Sequence, residues 1–334
     1  MQKGSVSAQT IVAVLAGVLI GIVIGWHGRS KFLSSKFRPQ ALRESSGFHF
    51  INPLLLCDAN ERLEFIEMKP LNDALERLVA SEVRAGHINI ASIYFRNLTS
   101  GDWVMVNETE RYNPASLIKV PLLIAYLKLS EGHSSLLGES ITVPTGPDPN
   151  IGQEIKPEQT ITPGRTYPIT ELLNRMIVYS DNQAALVLYD HLNQNSLRDV
   201  YADLGVPFPD PKKKQAFDFM TVNIYGRFFR VLYNGTYLWR SLSDQALRIL
   251  SQSSFQGGLV AGLPKGITVA HKFGLLTLAK NGVPYGRELH DCGIIYAPFH
   301  PYLLCVMTRG TADLKQMEQA IGNISQFVYG VVTR

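Results

Sequence analysis

Residues 113–124 read NPASLIKVPLLI, a short polar start followed by a mostly apolar run. Pro114 suits the start of a helix, and the apolar residues predict a buried helix over residues 116–129. Ser116 and Lys119 lie three positions apart and therefore share one face of that helix. The amine of Lys119 can then reach the hydroxyl of Ser116.

This pair has the chemistry of a nucleophile and its base. A serine hydroxyl is a weak nucleophile until a base takes its proton, and a lysine can be that base when burial lowers its pKa. Ser116 would also lie at a helix N-terminus, where free N–H groups favour a developing oxyanion. Ser-x-x-Lys arises by chance in a chain of this length, so a solvated surface pair explains the spacing alone equally well.

Two further signals follow along the chain. Ser180-Asp181-Asn182 stands at a predicted helix start, where all three residue types are ordinary N-caps. Lys272-Phe273-Gly274 stands on a predicted strand, where a lysine can protect a sheet edge. Each signal has a structural explanation, but together with the first they favour one polar site.

The order of predicted elements indicates the fold class. The pattern predicts helices over residues 71–83, 116–129, 169–178, 182–192, 221–233 and 313–332, and strands over residues 88–94, 103–106, 267–278, 292–296 and 303–308. Strands at both chain ends with helices between them predict an α/β (α+β) fold. It has one antiparallel five-stranded sheet flanked by helices, an all-helical lobe, and a cleft between them.

Composition limits the functional classes. The chain has 334 residues, 46% hydrophobic and 18% charged, which is typical of a globular protein with a large core. The net charge of +4 comes without basic stripes, so no nucleic-acid partner is predicted. There is no Cys/His cluster, so no metal and no cofactor are predicted. Cys292 and Cys305 lie on two apolar runs, and we interpret them as buried thiols rather than a disulfide.

The N-terminus predicts membrane attachment. Residues 7–26 are long and apolar enough for a single transmembrane anchor, residues 27–68 would form a tether, and residues 69–334 the catalytic domain. Basic residues after the anchor favour a cytoplasmic domain by the positive-inside rule, whereas the substrate class argued below favours an extracytoplasmic one, which we prefer. Small residues recur every four positions in the anchor. They allow a weak homodimer through the helix, although the ordinary glycine content of membrane helices also explains them.

In this order, the three motifs resemble those of the class A β-lactamase and penicillin-binding serine hydrolase family, with its Ser-x-x-Lys, Ser-Asp-Asn and Lys-Thr/Ser-Gly. The resemblance extends to residues 171–176, 181–185 and 293–296, and it covers roughly residues 69–334.

The resemblance implies a role for each matching residue. Ser116 would be the acylated nucleophile, Lys119 its base, and Ser180 the group that passes a proton to the leaving nitrogen. Asn182 would hold the substrate amide and Lys119. The remaining implied substrate contacts lie on one strand. Lys272 would attract the substrate carboxylate, and Gly274 would let the substrate backbone approach closely. The backbone N–H groups of Leu275 and Ser116 would form the oxyanion hole.

The sequence departs from the family pattern in three places. Phe273 replaces the hydroxyl residue that helps to bind a substrate carboxylate. No glutamate occurs between Glu171 and Glu288, so the loop that activates the deacylating water offers only Asp210. Cys292 stands where some members have an arginine, with His290 nearby as a weaker donor or a structural residue. The acylating residues are nearly complete while the deacylating glutamate is missing, which predicts slow turnover of β-lactams and a persistent acyl-enzyme on Ser116; the loss of the hydroxyl at Phe273 bears on substrate affinity or identity.

Three functions remain open from the sequence. The first is a β-lactamase-like serine hydrolase that forms an acyl-enzyme on β-lactams or related acyl-amides. The second is a D-Ala-D-Ala peptidase that acts on a cell-wall peptide. The third is a non-catalytic binding protein on the same scaffold, which Phe273 and the missing glutamate would favour.

Overall fold

The computed structural model describes residues 42–43, 49–52, 54–56, 68–209, 217–280 and 283–334. The predicted anchor over residues 7–26, most of the predicted tether and Asp210 lie outside these residues. Within the described part of the chain, we find no helix with the length and apolar character needed to cross a membrane. Strands β1 (Leu42–Arg43) and β2 (Leu54–Leu56) form a small antiparallel pair.

A five-stranded antiparallel sheet is built from both ends of the domain, as the sequence predicts. Its strands are β3 (Ile90–Asn97), β4 (Trp103–Val106), β7 (Val269–Lys280), β8 (Val283–Ile295) and β9 (Tyr302–Gly310), in the spatial order β4-β3-β9-β8-β7. Strand β7 is therefore an edge strand. Strand β8 begins nine residues before the predicted start. The prediction missed this part of the strand because it carries polar residues, some of which are buried through specific partners described below.

Helices cover both faces of the sheet. One face packs on α1 (Lys69–Arg84), α8 (Gly258–Ala261) and α9 (Leu314–Val332). The other face packs on the helical lobe, which comprises α2 (Lys119–Ser130), α3 (Ile169–Val178), α4 (Asn182–His191), α5 (Gln194–Asp203), α6 (Val222–Asn234), α7 (Arg240–Leu250) and the strand pair β5 (Ser140–Thr142) and β6 (Thr166–Pro168). The sheet thus separates two apolar cores.

Two helices of this lobe, α5 and α7, were not predicted. In α5 the buried residues Leu197, Val200 and Tyr201 follow helical spacing, and the Asn193 side chain accepts the N–H of Asn195 as an N-cap. The cap and the spacing can both be recognised in the sequence.

The predicted helix over residues 116–129 also needs correction, because residues Ala115–Ile118 form a 3₁₀ turn and the α-helix starts at Lys119.

Residues 49–52, within the predicted tether, dock on the domain. The N–H groups of His49 and Phe50 donate to Asp244 Oδ1, and Tyr296 Oη donates to the carbonyl of Phe50 over 2.8 Å. Ile51 is buried. The chain is therefore attached to the domain well before α1 begins.

The interpretation of Cys292 and Cys305 as free thiols was wrong. The two residues are direct partners in the register of β8 and β9, and a disulfide joins them. Both are fully buried. The apolar pattern predicts the two strands but not the register between them, and only the register shows that the sulfur atoms meet.

Gly274 allows the edge strand to touch the turn that carries Ser116. A Cβ atom at this position would lie 2.8 Å from the carbonyl oxygen of Pro114 and 3.1 Å from Leu117 Cγ. The Pro114 oxygen is a backbone atom, and Leu117 Cγ is not the far end of its side chain. Neither atom can therefore move aside as the end of a flexible side chain would. The glycine is therefore required by space rather than by its backbone angles.

We expect Gly274→Ala to destabilise the domain by about 1–3 kcal/mol, because overpacking forces the turn away from β7. Gly286→Ala on β8 is the matched control, since its Cβ would meet the Gly310 carbonyl oxygen at an ordinary 3.5 Å. Urea titrations of both variants measure the difference. Equal stabilities would show that the turn adapts freely.

We expect the double variant Cys292→Ala with Cys305→Ala to lose up to about 3 kcal/mol of unfolding free energy. The disulfide closes a loop with a sequence separation of 13, and its removal gives that entropy back to the unfolded chain. Wild-type protein treated with a reductant should match the variant in the same titration. Alkylation of both thiols in unreduced, unfolded protein would contradict the disulfide.

Candidate active site

Ser116 lies half-buried in the 3₁₀ turn, directly after Ala115, whose φ is +45°. A left-handed backbone is costly for alanine, so the surrounding contacts must hold it. The side chain of Asn113 accepts the N–H of Ala115 over 2.9 Å. Among the described residues, the Ser116 hydroxyl has no hydrogen-bond partner, which leaves it available to react.

Two residues of β8 hold Asn113 from the sheet side. Glu288 Oε2 accepts the backbone N–H of Asn113 over 2.9 Å, and His290 Nε2 lies 2.9 Å from its carbonyl oxygen, in position to donate. Glu288 is in turn bonded to Arg309 over 2.6 Å. His290 is thus engaged in supporting the turn, which favours its interpretation as a structural histidine.

Ser180 occupies the tight turn between α3 and α4, with a φ of +56°. The next residue, Asp181, is fully buried and caps α4 by accepting the N–H of Gln183 over 2.8 Å. Asp181 also accepts the Ile161 N–H and the Asn150 side-chain amide. The cap predicted from the Ser-Asp-Asn motif therefore exists, and it also fixes the backbone that presents Ser180.

Lys119 points from the start of α2 into this turn. Its Nζ donates to the Ser180 carbonyl over 2.8 Å, to Ser180 Oγ over 3.1 Å and to Asn182 Oδ1 over 2.7 Å. Burial lowers the pKa of Lys119 to about 7, and the negative charge of Asp181 opposes this shift. A lysine in this state can accept a proton near neutral pH.

Lys272 reaches Ser180 from the opposite side. Its Nζ donates to Ser180 Oγ over 2.9 Å and to the Phe273 carbonyl over 3.0 Å. Burial holds the pKa of Lys272 well below its usual value, with Lys119 lowering it further and Asp291 opposing. When both amines donate to Ser180 Oγ, the hydroxyl hydrogen of Ser180 is left for another acceptor.

A loop of the helical lobe secures Asn182. Asn150 Oδ1 accepts the backbone N–H of Asn182 over 2.8 Å, and the Pro149 carbonyl accepts its side-chain amide over 3.2 Å. Farther along the loop, Glu154 bonds Thr277 on β7 and Arg287 on β8. The sequence analysis missed both Asn150 and Glu154, because a lone polar residue in a loop carries no periodic signal.

The structure also places the departures from the family pattern. The Phe273 ring stacks on Phe255 with centroids 4.2 Å apart, and Lys272 Nζ lies 4.1 Å from its centroid. Behind this pair, His271 Nδ1 lies 2.8 Å from Asp291 Oδ1. Cys292 is held in the disulfide, so it offers no donor to the cleft.

Part of the predicted site comes together, whereas the Ser116 hydroxyl makes no hydrogen bond to Lys119 or Ser180 among the described residues. Ser180 Oγ joins Lys119 and Lys272, and Asn182 contacts Lys119 directly. Gly274 places β7 against the turn of Ser116, and Leu275 follows it on the same edge strand. Asp218, a carboxylate close in sequence to Asp210, is exposed, and its Oδ2 lies 3.7 Å from Arg309 Nη2. In the described part of the chain, no carboxylate is hydrogen-bonded to Ser116, Lys119 or Ser180.

Solved structures share this fold. A mutant of PBP-A, captured as an acyl-enzyme complex with penicillin G, has a TM-score of 0.65 and 26% identity, over 80% of this chain and 97% of that one. A β-lactamase from Sphaerobacter thermophilus has a TM-score of 0.64 and 21% identity, over 78% of this chain and 97% of that one. The TLA-1 extended-spectrum β-lactamase has a TM-score of 0.66 and 18% identity, over 79% of this chain and 99% of that one. At identities this low, the last two show the fold alone.

The comparison with curated proteins finds no match. The sequence model of the β-lactamase enzyme family matches residues 70–332, a span that contains both lysines, both serines and the whole five-stranded sheet. All three sequence motifs lie within that span. The chain belongs to the β-lactamase enzyme family.

Proposed function

We propose that this protein opens β-lactams or related acyl-amides through an acyl-enzyme on Ser116. The observation that carries the proposal is the shared contact of Lys119 and Lys272 with Ser180 Oγ, beside the turn that presents Ser116. A base, a proton carrier and a nucleophile are the groups that acyl transfer from nitrogen to oxygen requires.

The proposed acylation uses these contacts. Uncharged Lys119 takes the proton of the Ser116 hydroxyl as Oγ bonds to the carbonyl carbon. The carbon–nitrogen bond then breaks, and Ser180 gives its proton to the leaving nitrogen. Lys119, bonded to Ser180 Oγ, returns its proton to Ser180. The backbone N–H groups of Ser116 and Leu275 are the proposed donors to the oxyanion.

Hydrolysis of the resulting ester should be slow. A water molecule needs a base near the ester, and the buried carboxylates around the site are engaged elsewhere. Asp181 caps α4, Glu288 holds Asn113, and Asp291 binds His271 and the N–H of Leu259. The PBP-A mutant was captured as an acyl-enzyme complex with penicillin G, which supports a persistent ester on this fold.

The motif resemblance leaves a second candidate, a D-Ala-D-Ala peptidase that acts on cell-wall peptide. Both candidates use the same acyl-enzyme and differ in the acyl donor. Release of D-alanine from a peptidoglycan peptide, compared with hydrolysis of nitrocefin, separates them.

Incubation with a fluorescent penicillin should give one stable adduct per chain, seen by intact mass, with a lifetime of minutes or longer. Ser116→Ala should abolish the adduct, while Ser135→Ala, which changes an exposed serine, should keep it. Rapid turnover without an adduct would contradict slow deacylation. Failure to label with any penicillin or fluorophosphonate would favour the non-catalytic binding protein.

The acylation rate should rise with pH and level off above about 7. Only the uncharged amine of Lys119 accepts a proton, and its pKa of about 7 means that this form is lost as the pH falls below that value. Stopped-flow acylation between pH 5 and 9 measures the profile. Lys119→Arg should be inactive throughout, because a guanidinium stays protonated. A flat wild-type profile would exclude Lys119 as the base.

We also propose an extracytoplasmic domain tethered by the predicted anchor. The Cys292–Cys305 disulfide supports this orientation, because disulfides persist in oxidising compartments. Protease added to spheroplasts that express the full chain should degrade the domain. Protection until the membrane is lysed would place it in the cytoplasm, as the basic residues after the anchor suggest.

A further inference from the structure

The two lysine amines of the site are buried and bonded mainly to protein oxygens. Lys119 is 4% exposed, and its three hydrogen bonds all end on protein oxygens. Lys272 is 0% exposed and donates to Ser180 Oγ and to the Phe273 carbonyl. Lys119 therefore directs three N–H bonds to protein oxygens, whereas a protonated Lys272 keeps one N–H beyond its two bonds.

The Phe273 ring covers the remaining approach to Lys272. Its centroid lies 4.1 Å from Nζ, and the ring is itself stacked on Phe255 at 4.2 Å. Phe273 and Phe255 are 4% and 7% exposed, so the pair forms a packed apolar wall. The electron-rich face of an aromatic ring attracts a cation and repels an anion.

The position where some family members carry an arginine holds no cation here. The charged groups that act on its amine are Lys119 and Asp291, one already occupied and the other negative. On the neighbouring strand, Cys292 pairs with Lys272 in register and is bound in the disulfide. A carboxylate at this end of the cleft would lose its water without gaining a charged partner, which is strongly unfavourable.

We propose that this site prefers neutral acyl donors, that is, lactams, amides or esters without a free carboxylate beside the bond that is broken, over carboxylate-bearing donors such as penicillins and D-Ala-D-Ala peptides. The inference rests on the proposed acyl transfer to Ser116. A neutral alkyl or aryl group on the leaving side would pack against the Phe273–Phe255 wall and exclude water there.

Benzylpenicillin and its methyl ester test this inference, because they share the lactam and differ in one charge. Time-resolved intact mass gives the second-order acylation rate for each. We expect wild-type protein to react with the ester at least about tenfold faster, the discrimination that one unpaired polar group imposes.

Variants at Phe273 test the cause. Phe273→Thr removes the ring and adds a hydroxyl, so the ester-to-acid ratio should fall by about tenfold. Phe273→Leu keeps an apolar side chain and should retain the preference for the ester. Thermal unfolding of each variant confirms that it is folded, and the wild-type ratio tests the inference independently of either variant.

Two results would overturn the inference while leaving the proposed function intact: faster acylation of wild type by benzylpenicillin than by its ester, or an unchanged ratio in folded Phe273→Thr. Absence of any Ser116 adduct with acid, ester and fluorophosphonate would instead overturn the proposed function, and the preference with it.

Discussion

The site depends on one hydroxyl oxygen that two buried lysines share. Ser180 Oγ lies 3.1 Å from Lys119 Nζ and 2.9 Å from Lys272 Nζ, and neither amine reaches bulk water. Two ammonium groups at this separation in a dry interior would repel each other strongly. Burial lowers the pKa of Lys119 to about 7, and burial together with the charge of Lys119 lowers the pKa of Lys272. The uncharged amine of Lys119 is what proton transfer from Ser116 needs.

The rest of the domain keeps that arrangement in place. Ser180 and Ala115 both hold left-handed backbone angles, which neither residue type prefers. Asp181 secures one turn through buried N–H groups, and Glu288 and His290 secure the other from the sheet. The two strained turns belong to different chain segments, so the lobe and the sheet must both be folded before Ser116 and Ser180 come together.

The sequence predicts the fold well because its elements have strong periodic signals. Helix α3 has the predicted limits, and the five strands appear in the predicted order. Part of the predicted site also comes together around Ser180. What the sequence could not show is the origin of the support: Asn150 lies in a loop without periodicity, and Glu288, an apparent surface residue in the sequence, lies buried on β8. Such residues are buried only because partners distant in sequence satisfy them.

The loop that holds Asn182 continues to Glu154, whose carboxylate is bonded to Thr277 on β7 and to Arg287 on β8. One short stretch of chain therefore ties the residue beside Lys119 to the two strands at the sheet edge. A substitution at Glu154 would release the loop from the sheet, and Asn182 would then lose part of the support that fixes it against the Lys119 amine.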